Sequence, residues 1–300
     1  MKKRKTFDII FDILSYTFMI ILVIFSLYPF INTIAVSFNA GMDTIKGGIY
    51  IWPRVWTLEN YKAVFESGTV FHAFFVSVAR TLLSVSLGLF LTSLIAYVLS
   101  RKEFIFRKQI TAVFVFTMYF NAGLIPNYFL IKNLGLINNF AVYVIPGLVN
   151  AFNMIVIRTY IRGLPESLVE SAKIDGASEF KIFLRIILPL CKPVLATVGL
   201  FIAVGSWNSW FDTFLYASSR QNLSTLQYEL MKLLSASMMK NASSAMAAGG
   251  VNAQEMSAKL VTPVSLRAAI TIVAATPILL VYPFLQKHFV TGLVVGSVKE

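Results

Sequence analysis

The stretch Ile13-Leu-Ser-Tyr-Thr-Phe-Met-Ile-Ile-Leu-Val-Ile-Phe-Ser-Leu-Tyr-Pro-Phe-Ile-Asn-Thr-Ile-Ala-Val36 carries no charge and is apolar almost throughout. A bilayer core of about 30 Å is crossed by roughly 20 such residues in a helix. Helical form is required there, because lipid offers no partners to backbone N–H and C=O groups. Lys2, Lys3, Arg4 and Lys5 precede the run, as in a signal peptide. The run is longer than the apolar part of a signal peptide, and no small-residue cleavage site follows it, so it reads as a first membrane span.

Five further runs have the same character: 71–99, 110–130, 140–157, 193–216 and 268–284. With 13–36 they predict an all-α, polytopic membrane protein of about six spans in a single transmembrane domain over 1–300. Asn121, Gly123 and Pro126 interrupt the third run, and Pro277 and Pro283 fall within the sixth. Composition agrees. Of 300 residues 57% are hydrophobic and 13% charged, against about 25% charged in a soluble domain. The net charge is +12, but the positive residues flank apolar runs instead of forming one face, which argues against nucleic acid as a partner. Cys191 is the single cysteine, so neither an internal disulfide nor a cysteine metal cage can form. His72 and His288 sit at span ends and read as interfacial residues, so no metal site is expected.

Positive residues near span ends set orientation. One side receives Lys2 to Lys5, Arg101, Lys102, Arg107, Lys108, Arg158, Arg162, Lys173, Lys181, Arg185, Lys192, Lys287 and Lys299. The other receives two long mixed segments, 37–70 and 217–264. Both termini are therefore expected in the cytoplasm, with those two segments outside. Within the second, Leu226, Leu230 and Leu233 have helical spacing, and 235–258 reads as a mobile external loop rich in Ser, Ala, Met, Asn and Gly.

Residues 163–189 lie between the fourth and fifth runs and read as two short helices. Pro165 suits a first helical turn, and Glu166 complements the positive end of the helix dipole. Leu168, Val169 and Ala172 share a side at helical spacing. Gly176 suits the left-handed residue that ends a helix. Phe180, Phe183, Leu184 and Ile187 supply the apolar positions of the second segment, and Pro189 and Pro193 redirect the chain into the fifth span. Periodicity alone allows a helix lying at the membrane surface. Ala172 and Gly176 are also small enough to admit close approach by another protein.

The residues at those positions add more. Glu170-Ser171-Ala172, three residues, Gly176, nine residues, Ile186, one residue, Leu188-Pro189 resembles the EAA loop of permease subunits of ATP-binding-cassette (ABC) importers. Ser171 replaces the usual central alanine. The resemblance runs along nearly the whole chain to the carbohydrate, MalG-like branch: Thr57-Leu-Glu-Asn-Tyr61, Ala96-Tyr97 with Arg101, Trp207-Asn208, and the tail from Gln286 through Gly292, Gly296, Val298 and Lys299. Tyr282-Pro-Phe-Leu-Gln286 is similar to the LplC-type subgroup, which accompanies oligosaccharide importers.

The resemblance implies a bacterial inner-membrane location and a set of partners: a second, paralogous permease, a dimer of ABC ATPases and an external sugar-binding protein. It implies ATP and Mg on the ATPase and no cofactor in this chain. No Gly is followed by Lys anywhere, so the usual phosphate-cradling loop is missing. It further implies that Glu170, Ser171, Ala172, Asp175, Gly176, Leu188 and Pro189 contact the ATPase, joined by Gln286, Gly296 and Lys299 of the tail, and that 217–264 reaches toward the binding protein.

Sugars are held by aromatic faces and hydrogen-bonding groups. At suitable depth these are Tyr119, Asn121, Asn150, Asn153, Trp207, Asn208 and Trp210, with interfacial belts or helix packing as the competing role of the aromatics. Arg80 and Asp212 stand near the outer ends of their spans and suit a simple ion pair. The rival reading is an ion-gradient-driven secondary transporter, which needs acidic residues at mid-membrane. Asp212 is the one acidic residue near a span interior.

Overall fold

A computed structural model describes residues 6–66, 68–247 and 261–294. Among them no strand occurs, and the one isolated bridge joins Asn39 to Trp56. The chain divides into two compact units, Met1–Val70 with Leu230–Thr276 and Phe71–Glu229 with Pro277–Glu300.

The first unit opens with α1, Thr6–Ser37, whose apolar side chains from Phe7 to Phe30 are exposed along its length. Exposure of that kind suits a helix whose solvent is lipid. After α1 the chain folds tightly about Asn39. Its Oδ1 accepts from Arg54 N and Val55 N, each at 2.9 Å, and its Nδ2 donates to Thr44 Oγ1 at 3.1 Å. Asn60 donates to the carbonyls of Ser37 and Asn39, each at 2.9 Å, and the Tyr61 hydroxyl lies 2.7 Å from Ser37 Oγ. The Thr57–Tyr61 motif is thus a fastening for this segment. Short helices α2, Gly41–Ile45, and α3, Glu59–Phe65, complete it.

The second unit is organised by α4, Thr69–Ser100. Breaks interrupt the helices that follow. The expected span 110–130 is split into α5, Arg107–Tyr119, and α6, Leu124–Asn133, at 13 and 10 residues each too short to cross alone. Gly123 has φ +91°, and its N–H donates to the Asn121 side chain at 2.9 Å, so a turn forms where a helix would have continued. The expected span 140–157 begins as two 3-10 turns, Phe140–Tyr143 and Ile145–Gly147, then bends by 48° into α7, Ala151–Arg162. Pro146 and the Asn150 cap cause the break, the Asn150 side chain accepting from Asn153 N at 3.1 Å.

Helix α8, Ser167–Ile174, follows, then a second segment made of α9, Glu179–Ile182, a π turn at Phe183–Ile187 and α10, Leu188–Leu190. This segment meets α11, Lys192–Asn208, at 82°. Helix α12, Phe211–Tyr216, completes the expected fifth run after a break at Ser209–Trp210. Helix α13, Leu226–Ala247, continues well into the region expected to be a loop, because its Leu, Met and Ala residues are good helix formers. Helix α14, Pro263–Val294, passes through both prolines. Among the described residues three helices are long and apolar enough to cross a membrane, or up to five when each bent pair counts as one span.

The second unit's main core joins α4, α7, α8, the 179–190 segment and α11 through Tyr97, Leu99, Met154, Ile157, Ile161, Val169, Phe183, Ile187 and Val198. Helices α4 and α11 approach closely at Gly199, where a Cβ would stand 3.1 Å from Leu89 Cδ1. Small residues at such crossings are the usual means of packing helices in lipid.

Candidate functional site

Helix α8 is short, and two devices hold it. The first is its end. Gly176 has φ +76°, its N–H donates to Lys173 O at 3.0 Å, and the next N–H, of Ala177, reaches back to Ala172 O at 2.9 Å. That pair of bonds is the Schellman closure. The second is an electrostatic clamp to the segment after α4. Lys173 Nζ bridges Glu103 Oε1 at 3.0 Å and Glu179 Oε1 at 2.8 Å. Lys102 pairs with Glu166, and the Tyr97 hydroxyl donates to Glu179. The hydrogen bonds that Lys173 donates to Glu179 and Glu103 raise its pKa. Glu103 is held below the usual carboxylate range by its own backbone N–H and by Lys173. Burial pushes Glu179 upward, but bonds from Lys173 and Tyr97 outweigh it and its pKa is lowered.

This arrangement sorts the expected contact residues into two faces. Val169 and Ala172 are buried in the main core, so Ala172 is not available for close approach by another protein. Its small size lets α8 lie close on its own unit. Leu168, expected beside them, is exposed, since an eight-residue helix buries only the i, i+3 pair. Pro165 stands one residue before the N-cap position, Glu166, and so precedes the first turn. Outward lie Glu170, Ser171, Ile174, Asp175 and Gly176, with Pro189 exposed and Leu188 partly buried. Ile174 is 86% exposed. Helical spacing does not single it out.

The seven pathway candidates are not gathered into one cavity. Asn121 and Asn150 cap backbone turns. Asn153 and Trp207 are buried, with Trp207 edge-on to Phe74 at 5.9 Å. Tyr119 is exposed, Asn208 is exposed, and Trp210 packs against Phe211 and Phe214. An apolar groove of about 670 Å³ between α4, α11 and Pro277–Val281 is lined by Trp207 and by none of the other six. Arg80, itself buried, forms an ion pair with the part-buried Asp212. Arg80 also donates to Ser209 O at 3.2 Å and lies 4.8 Å over the Tyr143 ring. Of the tail residues, Gln286 falls within α14, while Gly296 and Lys299 lie outside the described residues.

No family model matches the chain. It is 35% identical over 97% of its length to the polygalacturonan/rhamnogalacturonan transport system permease protein YtcP of Bacillus subtilis, covering 98% of that protein. The chain belongs to the ABC transport system permease proteins. Protein LplC of Bacillus subtilis is also 35% identical, over 97% of this permease and 95% of LplC. The arabinooligosaccharides transport system permease protein AraQ of Halalkalibacterium halodurans is 30% identical over 99% of each chain. The crystal structure of a bacterial ABC transporter involved in the import of the acidic polysaccharide alginate contains a chain that matches 96% of the permease. It is 26% identical with a TM-score of 0.81, and all of that chain is covered.

Proposed function

We propose that this permease forms half of a translocation pathway for oligosaccharides, is completed by a second permease, and is driven by a partner ATPase that docks on α8. The relatives named for transport of polygalacturonan/rhamnogalacturonan and of arabinooligosaccharides, and the similar chain of the alginate importer, support the substrate class. ATP and Mg belong to the ATPase in this reading, and an external binding protein delivers the sugar.

One observation carries the coupling role. Helix α8 is seated on its own unit by Val169 and Ala172 and tied at its exposed side by Lys173 to Glu103 and Glu179, while Glu170, Ser171, Ile174 and Asp175 face outward. A rigidly seated helix with an exposed apolar residue among polar ones can transmit a push without absorbing it. Glu170 would accept from basic or backbone donors of the ATPase, and Ile174 would fill a pocket, as buried anchors do in interfaces. Asn121, Asn208 and Tyr119 are exposed and remain the better pathway candidates; Asn153 and Trp207 serve packing. The importer reading outweighs the secondary transporter, because Asp212 is occupied by Arg80.

The test is the assembled importer in proteoliposomes carrying Glu170→Lys or Ile174→Asp. The expected result is normal insertion, continued basal ATP hydrolysis and loss of sugar uptake. Normal uptake in both variants would sink the coupling assignment.

A further inference from the structure

A second surface lies beside the clamp. Between the end of α4, the start of α5 and the end of α7 is a cavity of about 440 Å³. Its lining includes Arg101, Lys102, Arg107, Lys108, Arg158 and Arg162, with Glu166 as the single acid, and that acid is paired to Lys102. Five cations therefore face the cavity without an acidic counterpart in its lining. Arg158 is fixed, its Nε donating to Leu99 O at 2.9 Å, and Arg101 lies 4.9 Å over the Tyr97 ring. Arg107 Nη1 donates to Arg101 O at 3.4 Å. These three are partly buried and form the floor, while Lys108 and Arg162 are exposed at the mouth.

Like charges collected in this way repel one another, and a bound anion removes that cost. The cavity also opens at the N-terminus of α5, where two basic residues occupy the first turn and no side chain caps the helix. Backbone N–H groups and the helix dipole there favour an anion as well. Beyond the charged mouth, α5 has no buried residue, and Val113 and Phe116 are 61% and 64% exposed. A cationic cavity at one end of an exposed apolar helix has the amphipathic form of a phospholipid. Basic pockets between spans at the positive side of a membrane are suited to phosphate headgroups.

We infer that this cavity binds the phosphate headgroup of an anionic phospholipid, whose acyl chains lie along α5. Phosphate is the chemistry recognised, and free phosphate is the alternative source to be separated from lipid. Binding there does not require the coupling role of α8, although Lys102 and Glu166, the latter at the start of that helix, belong to the cavity lining.

The experiment uses the full-length permease purified in a mild detergent and stripped of lipid. Retention of phosphatidylglycerol is measured by native mass spectrometry, with phosphatidylcholine as the uncharged-headgroup comparison and glycerol 3-phosphate and inorganic phosphate as soluble competitors. The expected result is one strongly retained phosphatidylglycerol, weak phosphatidylcholine, and little competition by millimolar soluble phosphates. The pair Lys108→Gln and Arg162→Gln, chosen at the mouth so that the floor stays intact, should weaken phosphatidylglycerol roughly thirtyfold, about fivefold for each cation removed. The control pair Lys62→Gln and Arg220→Gln, outside the cavity, should leave retention unchanged. Equal retention of both lipids would overturn the inference, as would displacement by inorganic phosphate, or a mouth variant that keeps phosphatidylglycerol while losing the ATPase.

Discussion

Gly176 offers a graded test of how α8 is held. Its φ of +76° is left-handed, and a Cβ placed there would meet no atom within 4 Å. In Gly176→Ala the cost is therefore conformational alone, about 1–2 kcal/mol. That raises local opening of the helix end roughly five- to thirtyfold. Asparagine tolerates the left-handed region better and should fall between glycine and alanine. Proline cannot hold this φ and lacks the N–H that bonds Lys173 O, so the closure is lost together with the Ala177-to-Ala172 bond, a cost of about 3 kcal/mol or more. Hydrogen exchange on residues 167–177 of the purified permease should rank Gly, Asn, Ala and Pro in order of rising exchange. Uptake per ATP in the assembled importer should fall in the same order. The reasoning is refuted if Gly176→Ala abolishes uptake while exchange stays at the level of the glycine protein. The glycine would then serve contact with the partner and not the turn.

Ala172→Leu inserts volume at a buried position and should destabilise the second unit by about 1–3 kcal/mol. Ser171→Leu, one residue away on the exposed face, should stay within about 0.5 kcal/mol by thermal shift in detergent while weakening ATPase co-purification. Breaking the Arg80–Asp212 pair with Arg80→Met leaves a part-buried carboxylate and should cost about 3–5 kcal/mol, most of it regained by adding Asp212→Leu, again by thermal shift. The clamp also has a pH signature. Glu103 and Glu179 are depressed below 4.5, so their contribution is present above that value and lost as pH falls through their lowered pKa values. Lys173 is raised above 10.5, so its contribution is present below that value and lost as pH rises through its raised pKa. Exchange in α8, corrected for intrinsic rate, should be flat from about pH 5 to 10 and rise outside that window.

The helices α1 and α4 were readable because long uncharged runs have few alternatives to a membrane helix. The breaks were only partly readable. Asn121 and Gly123 announce an interruption, but whether a side chain turns and accepts a backbone N–H depends on what the neighbouring helices leave room for. Within α8 the apolar spacing of Leu168, Val169 and Ala172 did not say which of them faces in. The helix is too short for its pattern to settle a direction, and burial of Val169 and Ala172 in the core shared with Tyr97, Met154 and Phe183 decides it. The Lys173 clamp was not legible at all, because Glu103 lies seventy residues away along the chain. The basic cavity draws on three separate segments and has the same cause.

The most direct test of the central claim uses the chemistry already in the chain. Cys191 is its single cysteine and is buried, so Ile174→Cys places one accessible thiol on the outward face of α8. A heterobifunctional reagent, thiol-reactive at one end and photoactivated at the other so that it needs no cysteine on the partner, should join residue 174 of the assembled importer to the ATPase subunit, with a yield that changes when ATP is bound. A thiol that links to the second permease or to nothing, in an importer that still transports, would contradict the account.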